Sequence, residues 1–224
     1  MNLDNPFKDE TVAKQWINSV EGEKGMTRDN ESYPYLRAWF NSTSKGIVVD
    51  IGSGQGVCSS KIEGYSKYIG IEPSTFLTDR AKELYDSVNR EFVVGEAYSL
   101  PLENASCDNA ISFNVWFHLE DLDKASHELS RVLKSGGKFW IHTADNDALD
   151  IWKSFYVNPI IDDKKILGEV KVPVNNMSIN TFYLHTNQQI VDSLQKVGLK
   201  VLKTTKLGTI DKGTLFVVFE GEKI

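Results

Sequence analysis

An apolar segment that runs straight into alternating glycines limits the possible folds of this chain more than any other feature. The sequence VVDIGSGQG places Asp50 near the end of the apolar run and Gly52, Gly54 and Gly56 at every second position after it. Glycine permits tight turns and a close approach to the backbone, because it has no side chain. A strand that ends in such a turn and is followed by a helix is typical of nucleotide-binding α/β folds. We therefore predict that a ligand binds at this turn.

Apolar runs and helical patterns alternate along the chain from Ile47 onward. Ser74 is a predicted N-cap, the glycine pair 136–137 is predicted to end the helix that begins at Asp121, and Gly198 is predicted to end the last helix. Strands that alternate with helices predict a parallel sheet, and two final strands with no helix between them predict an antiparallel hairpin at its edge. The predicted strands are 47–51, 67–73, 90–97, 107–115, 138–143, 200–209 and 214–222, and the predicted helices are 56–64, 74–87, 121–135 and 186–199.

Two regions lie outside this alternation. Residues 1–45 are polar and mostly helical by pattern, and residues 145–183 carry scattered aromatic residues without a clear period. An insertion of that length in a compact α/β domain is more often functional than idle, so 145–183 is predicted to be a lid on the substrate side. The candidates for substrate binding are Trp152, Phe155, Tyr156 and Tyr183, of which the first three have the spacing of one helical face.

The charge balance argues against a general nucleic-acid or anionic-membrane binder. The 31 acidic residues outnumber the 25 basic ones, so the formal net charge is −6, and phosphate binding needs a basic surface. The two cysteines, Cys58 and Cys107, have no metal-type spacing around them, so neither a metal site nor a disulfide framework is expected.

No targeting signal is predicted from the sequence. The N-terminal MNLDNPFKDE lacks the basic start and the apolar core of a secretory signal, and no apolar run is long enough to cross a bilayer. We therefore expect a cytoplasmic monomer or homodimer that has no nucleic-acid or membrane partner.

Asp50 gives information about the charge of the predicted ligand. A carboxylate close to the ligand would repel a pyrophosphate and favour a cationic molecule. The dinucleotide fingerprint also needs glycine or alanine at its sixth position, where this chain has Val57. S-adenosylmethionine (SAM) fits better, because it carries an ammonium and a sulfonium group and no phosphate.

Five segments together resemble the class I SAM-dependent methyltransferases, in particular the small-molecule branch that contains quinone and sugar methyltransferases. VVDIGSGQG is similar to the first motif of that family, and GIEPS ends the second strand with an acid. The other three are GEA at 95–97, CDNAISFNVWFHLED, and LSRVLKSGGKFWI, in which Ser135 replaces the usual proline. The resemblance covers residues 47–142. It implies a Rossmann-like α/β fold with a doubly wound, mostly parallel seven-stranded sheet, as a domain at 46–224 preceded by an N-terminal helical cover.

The resemblance also implies which residues bind SAM. Glu72 matches the acid that holds both ribose hydroxyls, and Glu96 with Ala97 matches the adenine contacts. Arg28 is a candidate for closing over the cofactor, although KGMT at 24–27 departs from the corresponding segment of the family. The complete predicted cofactor set is Asp50, Gly52, Ser53, Gly54, Gly56, Glu72, Pro73, Glu96, Ala97, Ser112, Phe113 and Arg28.

Methyl transfer is a direct displacement at carbon, in which alignment and the exclusion of water supply most of the catalysis. An oxygen nucleophile would also benefit from a base with a pKa near neutrality, for which His185, His142 and His118 are the candidates. The stretch SFNV at 112–115 differs from the acid or Asn-Pro-Pro-aromatic motif of enzymes that methylate amino groups of DNA bases or of glutamine, and neither cysteine follows a proline as in cytosine C5 enzymes. We therefore predict a small-molecule acceptor.

Two alternatives stay open at this point. An NAD(P)-dependent oxidoreductase would share the glycine-rich turn and an acid about 20 residues after it. A non-catalytic module could keep the fold and SAM binding without any activity.

Overall fold

The computed structural model describes residues 6–22, 28–171, 177–210 and 213–224. Its strands are β1 (Ile47–Ile51), β2 (Lys67–Glu72), β3 (Arg90–Val94), β4 (Cys107–Phe113), β5 (Leu133–Ala144), β6 (Tyr156–Ile161), β7 (Lys165–Lys171), β8 (Met177–Tyr183), β9 (Leu199–Ile210) and β10 (Gly213–Lys223). Its α-helices are α1 (Glu10–Gly22), α2 (Tyr33–Asn41), α3 (Thr75–Tyr85), α4 (Leu122–Val132), α5 (Leu149–Lys153) and α6 (Asn187–Lys196).

The main sheet has seven strands in the order β3-β2-β1-β4-β5-β10-β9. The first five of these pair in parallel, whereas β10 runs antiparallel to both β5 and β9. The predicted α/β fold, with its mostly parallel seven-stranded sheet and its antiparallel C-terminal hairpin, is therefore confirmed. Because β1 lies at the centre and the strand order reverses beside it, the carboxyl ends of β1, β2 and β4 meet at one edge of the sheet.

Alternating side chains in β1 pack against helices on both faces of this sheet. Val49 and Ile51 are buried in the core that α4 and α6 cover. Val48 is buried on the opposite face together with Leu36 and Phe40 of α2. Both faces are apolar and covered, as expected for a doubly wound parallel sheet.

The predicted helix signals at Ser74 and Gly198 are confirmed. The Ser74 hydroxyl caps α3 by accepting the backbone N–H of Leu77 at 3.4 Å. Gly198, two residues after the end of α6, adopts a left-handed backbone with φ +77°, a conformation that glycine tolerates at a helix end. None of the helices in the described ranges is long and apolar enough to span a membrane.

The predicted helix at 56–64 is wrong, because only a short 3₁₀ helix at Val57–Ser60 follows the glycine turn. The hydroxyls of Ser59 and Ser60 donate to backbone carbonyls three residues earlier, at 2.7 and 2.8 Å. Such side-chain bonds offer the backbone an alternative to the α-helical ladder. Gly64 then takes a left-handed φ of +85°, which ends the segment.

The glycine pair 136–137 does not end the helix before β5. This helix, α4, ends at Val132, and Leu133 already pairs with Cys107 of β4. The next pair is Asn109 with Lys138, so the glycines lie in an irregularity inside β5. The predicted third and fourth strands are also too long, since β3 ends at Val94 and β4 at Phe113.

Residues 145–183 contain ordered structure that the sequence did not predict. After α5, the strands β6, β7 and β8 form a separate three-stranded antiparallel sheet. The predicted helical face of Trp152, Phe155 and Tyr156 is wrong, because α5 ends at Lys153 and Tyr156 begins β6. Tyr156 instead packs with Ile166 and Phe182 in the core of this small sheet.

Residues 6–22 pack against α3 and contact the small sheet. In α1, Ala13 and Ile17 pack against Leu77 of α3, and α1 also contacts β8 of the small sheet. A five-residue π-helix at Arg28–Ser32 leads into α2.

Candidate functional site

A cavity of about 660 Å³ lies at the carboxyl ends of β1, β2 and β4. This volume is in the range of small-molecule sites, which is about 300–1,000 Å³. The residues that line it are Phe7, Lys8, Arg28, Tyr33, Asp50, Gly52, Ser53, Gly54, Gln55, Val57, Cys58, Glu72, Pro73, Leu77, Glu96, Ala97, Tyr98, Phe113, Asn114, Val115, Phe117, His118, Leu119, Glu120, Thr181 and Tyr183.

The glycine turn forms the floor of this cavity and depends on left-handed backbone. Gly52, Gly54 and Gly56 have φ values of +75°, +53° and +83°, a region that side chains with a Cβ rarely adopt. A Cβ built on Gly54 would meet no atom within 4 Å, so the position opens into free space. A Cβ on Gly56 would lie 2.8 Å from the Phe92 ring. Gly56 therefore serves packing rather than the cavity wall.

Glu72, at the end of β2, holds the turn in place. Its carboxylate accepts the backbone N–H of Gly54 and that of Ser74, each at 3.0 Å. The side chain is only 6% exposed, and burial raises the pKa of this carboxyl to about 7. A carboxylate oxygen has more than one lone pair, so Glu72 can accept further hydrogen bonds from hydroxyls in the cavity.

Asp50 is a second buried carboxyl group at the same edge. It is fully buried, and one of its oxygens accepts a hydrogen bond from the Tyr68 hydroxyl. Burial raises its pKa to about 7, against the effect of that hydrogen bond, and the nearby Glu72 raises it further. Two buried carboxylates so close together favour a cationic ligand.

The polar atoms around the turn fit SAM. Among the described residues, Asp50 Oδ1, Ser53 Oγ and Gln55 Oε1 are buried without a hydrogen-bond partner. An unpaired buried polar atom costs about 1–3 kcal/mol, and a ligand with ammonium and hydroxyl donors would supply the missing partners. The free space above Gly54 gives such a ligand room at the turn.

Most of the predicted cofactor residues line the cavity. Two do not line it. Gly56 packs on Phe92, and the Ser112 hydroxyl donates a hydrogen bond to the carbonyl of Ile51 at 2.9 Å. The Arg28 guanidinium lies 5.6 Å from the ring of Tyr33, which also lines the cavity. The predicted residues that do line it are Arg28, Asp50, Gly52, Ser53, Gly54, Glu72, Pro73, Glu96, Ala97 and Phe113.

An ion pair joins the N-terminal segment to the loop after β3. Lys8 Nζ lies 2.5 Å from Glu96 Oε1, and both side chains are about half exposed. Phe7, the preceding residue, packs edge-on against the His118 ring at a centroid distance of 5.6 Å. Phe7 and Lys8 therefore both line the cavity.

The side of the cavity that faces the small sheet is formed by Phe7, Phe117, His118, Leu119, Glu120, Thr181 and Tyr183, here called the cap-side wall. Its centre is His118, whose Nδ1 bonds to the carbonyl oxygen of Thr181 at 2.7 Å. Burial lowers the pKa of His118 to about 4, so its ring is neutral at pH 7. The Tyr183 hydroxyl donates a long hydrogen bond of 3.5 Å to Glu120.

The other two predicted histidines lie outside the cavity lining. His142 is fully buried, stacks on Phe113 and bonds to Asn114 Oδ1 at 2.8 Å and to Ser32 Oγ at 2.9 Å. Burial lowers its pKa to about 3. His185 Nε2 bonds to the Leu119 carbonyl at 2.6 Å. Both rings therefore make hydrogen bonds within the protein and do not line the cavity.

Of the four aromatic residues predicted to bind substrate, Tyr183 alone lines the cavity. Trp152 donates its ring N–H to the Leu215 carbonyl at 3.0 Å and packs on Phe182, and Phe155 is 37% exposed. Glu120, Phe117 and Phe7 were not predicted from the sequence. For Glu120 and Phe117 a signal existed, because they lie in the segment after β4, and ligands bind at the carboxyl ends of strands in open α/β sheets.

Comparison with known proteins agrees with this geometry. Residues 49–141 match the family described as a methyltransferase domain. A tRNA (carboxymethyluridine(34)-5-O)-methyltransferase of Macaca fascicularis is 28% identical over 143 residues, which are 60% of this chain and 20% of that protein. A ubiquinone/menaquinone biosynthesis C-methyltransferase of Rickettsia typhi is 27% identical over 168 residues, which are 65% of this chain and 67% of that protein. The chain thus spans only a fifth of the length of the macaque relative.

Solved structures show the same fold. A SAM-dependent methyltransferase from Methanosarcina mazei has a TM-score of 0.68 and 19% sequence identity, and the match covers 84% of this chain and 97% of that one. The matched residues 49–141 contain the glycine turn, Glu72, the strands β2 to β4 and most of β5. Residues 49–141 therefore match a methyltransferase domain, and the main sheet has the fold of SAM-dependent methyltransferases of known structure.

Proposed function

We propose that this protein transfers the methyl group of SAM to a small-molecule acceptor. The observation that carries the proposal is one continuous cavity, which extends from the glycine turn and Glu72 to the cap-side wall. A cofactor at the turn and an acceptor at the wall would share this cavity, as a direct displacement requires. When bound, SAM supplies a methyl group on a sulfonium, which is a good leaving group.

The residues at the turn would bind and orient the cofactor. Glu72 would accept the ribose hydroxyls, Asp50 would attract the ammonium group, and Glu96 and Ala97 would lie beside the adenine. Arg28 lines the same cavity and would bind the carboxylate of the methionine part. A methyl transfer needs little more from the protein than this alignment and a dry site.

The composition of the cap-side wall supports a small acceptor. The small sheet and the segment of Phe7 and Lys8 both line this side of the cavity, and the formal net charge of the chain is −6. A long polyanion such as tRNA would need a basic surface. We include in the proposal that residues 1–45 and 145–183 act as the cover and the lid of a domain at 46–224. A cytoplasmic location and a monomeric or dimeric state stay predictions.

Release of S-adenosylhomocysteine (SAH) from SAM tests the proposal. The protein is incubated with SAM and either fractionated small-molecule extracts or bulk tRNA, and SAH is quantified. We expect SAH to form with a small-molecule fraction. SAH formation with tRNA alone would assign a nucleic-acid acceptor, and SAM binding without SAH from any pool would favour the non-catalytic module.

A further inference from the structure

The cap-side wall combines apolar rings with hydrogen-bond acceptors. The Phe117 ring lies 4.1 Å from the His118 ring between centroids, and Phe7 contacts the same histidine from another side. Leu119 is buried and completes the apolar part. A flat or apolar group would pack well against these side chains.

His118 presents a lone pair on this wall. The Thr181 carbonyl, which bonds to Nδ1, can only accept a hydrogen bond. Nδ1 must therefore carry the proton of the neutral ring, and Nε2 is the unprotonated nitrogen. Nε2 has no hydrogen-bond partner among the described residues, so it can accept a donor from a bound molecule.

Glu120 adds a carboxylate to the same wall. No lysine or arginine of the described residues forms an ion pair with it, and its contact is the 3.5 Å hydrogen bond from the Tyr183 hydroxyl. Lys8 is paired with Glu96 instead. The ammonium of Lys165 lies over the Tyr183 ring at 5.8 Å, but Lys165 does not line the cavity. The wall thus offers two acceptors and no cation of its own.

This arrangement matches the movement of charge in the methylation of an amine. The amine lone pair forms the new N–C bond while the S–C bond breaks, and its electron pair goes to sulfur. Positive charge leaves the sulfonium and appears on nitrogen, where a carboxylate stabilises it. The resulting ammonium then releases its proton to solvent. A phenolate or carboxylate nucleophile would instead be repelled by Glu120.

The low basicity of His118 agrees with an amine. With a pKa of about 4, its ring cannot take the proton of a hydroxyl with a pKa of about 10. It can still orient an N–H group by accepting a hydrogen bond. Resting on the methyl transfer proposed above, we propose that the acceptor is an amine carried on a flat or apolar group, held by hydrogen bonds to His118 Nε2 and the Glu120 carboxylate.

Three matched probes test this proposal: 2-phenylethylamine, 2-phenylethanol and 3-phenylpropanoate share a ring and a short chain and differ in the head group. SAH formation from SAM gives the turnover, and calorimetry on the protein saturated with SAH gives the affinity of each probe. We expect the amine to exceed the other two at least tenfold in kcat/KM or in affinity. Glu120→Gln should remove most of this preference without changing the affinity for SAM.

The exposed Glu63→Gln serves as the control for loss of a carboxylate and should leave the preference unchanged. An equal or better result with the alcohol or the carboxylate, or a preference that survives in Glu120→Gln, would overturn the amine proposal. If 2-phenylethylamine did not bind to the SAH-saturated protein, the amine proposal would also be overturned. A protein that binds neither SAM nor SAH would instead overturn the methyltransferase proposal, so the two failures are distinguishable.

Discussion

The Glu72 carboxylate at the end of β2 accepts the backbone N–H of Gly54, in the turn after β1, at 3.0 Å. This bond connects the acid and the glycine turn, which lie 18 residues apart in the chain. Because β1 and β2 are parallel neighbours, their carboxyl ends are adjacent and the contact follows from the register of the sheet. The acid and the glycine turn are therefore directly joined at the edge of the sheet.

Loss of the Glu72 carboxylate should weaken SAM binding by about tenfold or more. A hydrogen bond to a charged group contributes about 1.5–3 kcal/mol, and Glu72→Ala would also release Gly54. Calorimetric titration of the purified variant with SAM measures the effect. Glu91, exposed on β3, provides the matched control as Glu91→Ala. An unchanged affinity in a folded Glu72→Ala variant would remove this residue from the site.

A side chain at Gly54 should abolish SAM binding without preventing folding. Gly54→Val would fill the free space above the turn with a β-branched group. Gly136 is a matched control, since it also has a left-handed φ of +73° and no atom within 4 Å of a built Cβ, but it does not line the cavity. Thermal unfolding should show similar losses of stability for Gly54→Val and Gly136→Val. If both variants bound SAM equally well, the ligand would lie elsewhere.

SAM affinity should fall as the pH is lowered below 7. Burial raises the pKa of both Asp50 and Glu72 to about 7, and a cationic ligand binds the ionised forms. Above pH 7 both carboxyl groups are ionised, so the affinity for SAM is constant there. Below pH 7, each carboxyl group that must lose a proton before SAM binds lowers the affinity for SAM by about tenfold per pH unit. Titrations at pH 6 and pH 8 in buffers with different ionisation enthalpies would also show proton release. A flat profile would contradict the raised pKa values.

The buried His142 should make stability depend on pH. Its pKa is about 3 in the folded protein against about 6.5 in an unfolded chain, so the unfolded state binds the proton more readily. The stabilisation by the neutral ring is complete above pH 6.5 and is lost as the pH falls towards 3. The destabilisation caused by His142→Asn should therefore shrink by about 1.4 kcal/mol for each pH unit from 6.5 to 4.

Urea unfolding at several pH values measures this difference between wild type and His142→Asn. The exposed His127 of α4 serves as the control, and His127→Gln should change stability by less than about 0.5 kcal/mol. A His142→Asn effect that is constant from pH 7 to pH 4 would mean that the ring is not kept neutral by burial.

Residues of the proposed cover and of the proposed lid should become more protected from hydrogen exchange when a ligand binds. The Lys8–Glu96 pair is about half exposed, and such pairs contribute only about 0–1 kcal/mol, so this contact at the rim of the cavity can open at low cost. Hydrogen exchange with and without SAH and an accepted substrate should slow in residues 6–22 and 156–171. The hairpin strand β9 lies at the far edge of the sheet and should not change. Equal exchange rates of residues 6–22 and 156–171 with and without ligand would contradict a cover and a lid that close over the cavity.

Much of the cofactor side was predictable from the sequence, because local patterns determine it. Strand periodicity, the glycine turn and the acid that ends β2 each occur within a few residues, and parallel pairing then brings Glu72 to Gly54. The loss of the helix at 56–64 was not predictable in this way. It depends on serine hydroxyls that compete for backbone carbonyls and on the close packing of Gly56 against Phe92.

The cap-side wall could not be predicted from local sequence patterns, because it is assembled from segments that are far apart in the chain. Phe7, His118 and Thr181 come from three separate parts of the chain and meet through the pairing of the small sheet and its contact with α1. The aromatic residues of 145–183 were expected at the substrate, but Trp152 and Tyr156 fill the core of the small sheet. Hydrophobic side chains pack there because an isolated three-stranded sheet needs its own core.

Calorimetric titration of the wild-type protein with SAM, SAH and NAD tests the assignment of the cavity most directly. We predict that SAM and SAH each bind with one molecule per chain and that NAD shows no heat of binding, because Asp50 and Glu72 disfavour a pyrophosphate at the turn. Binding of NAD, or the absence of binding by both SAM and SAH to the folded protein, would contradict the assignment.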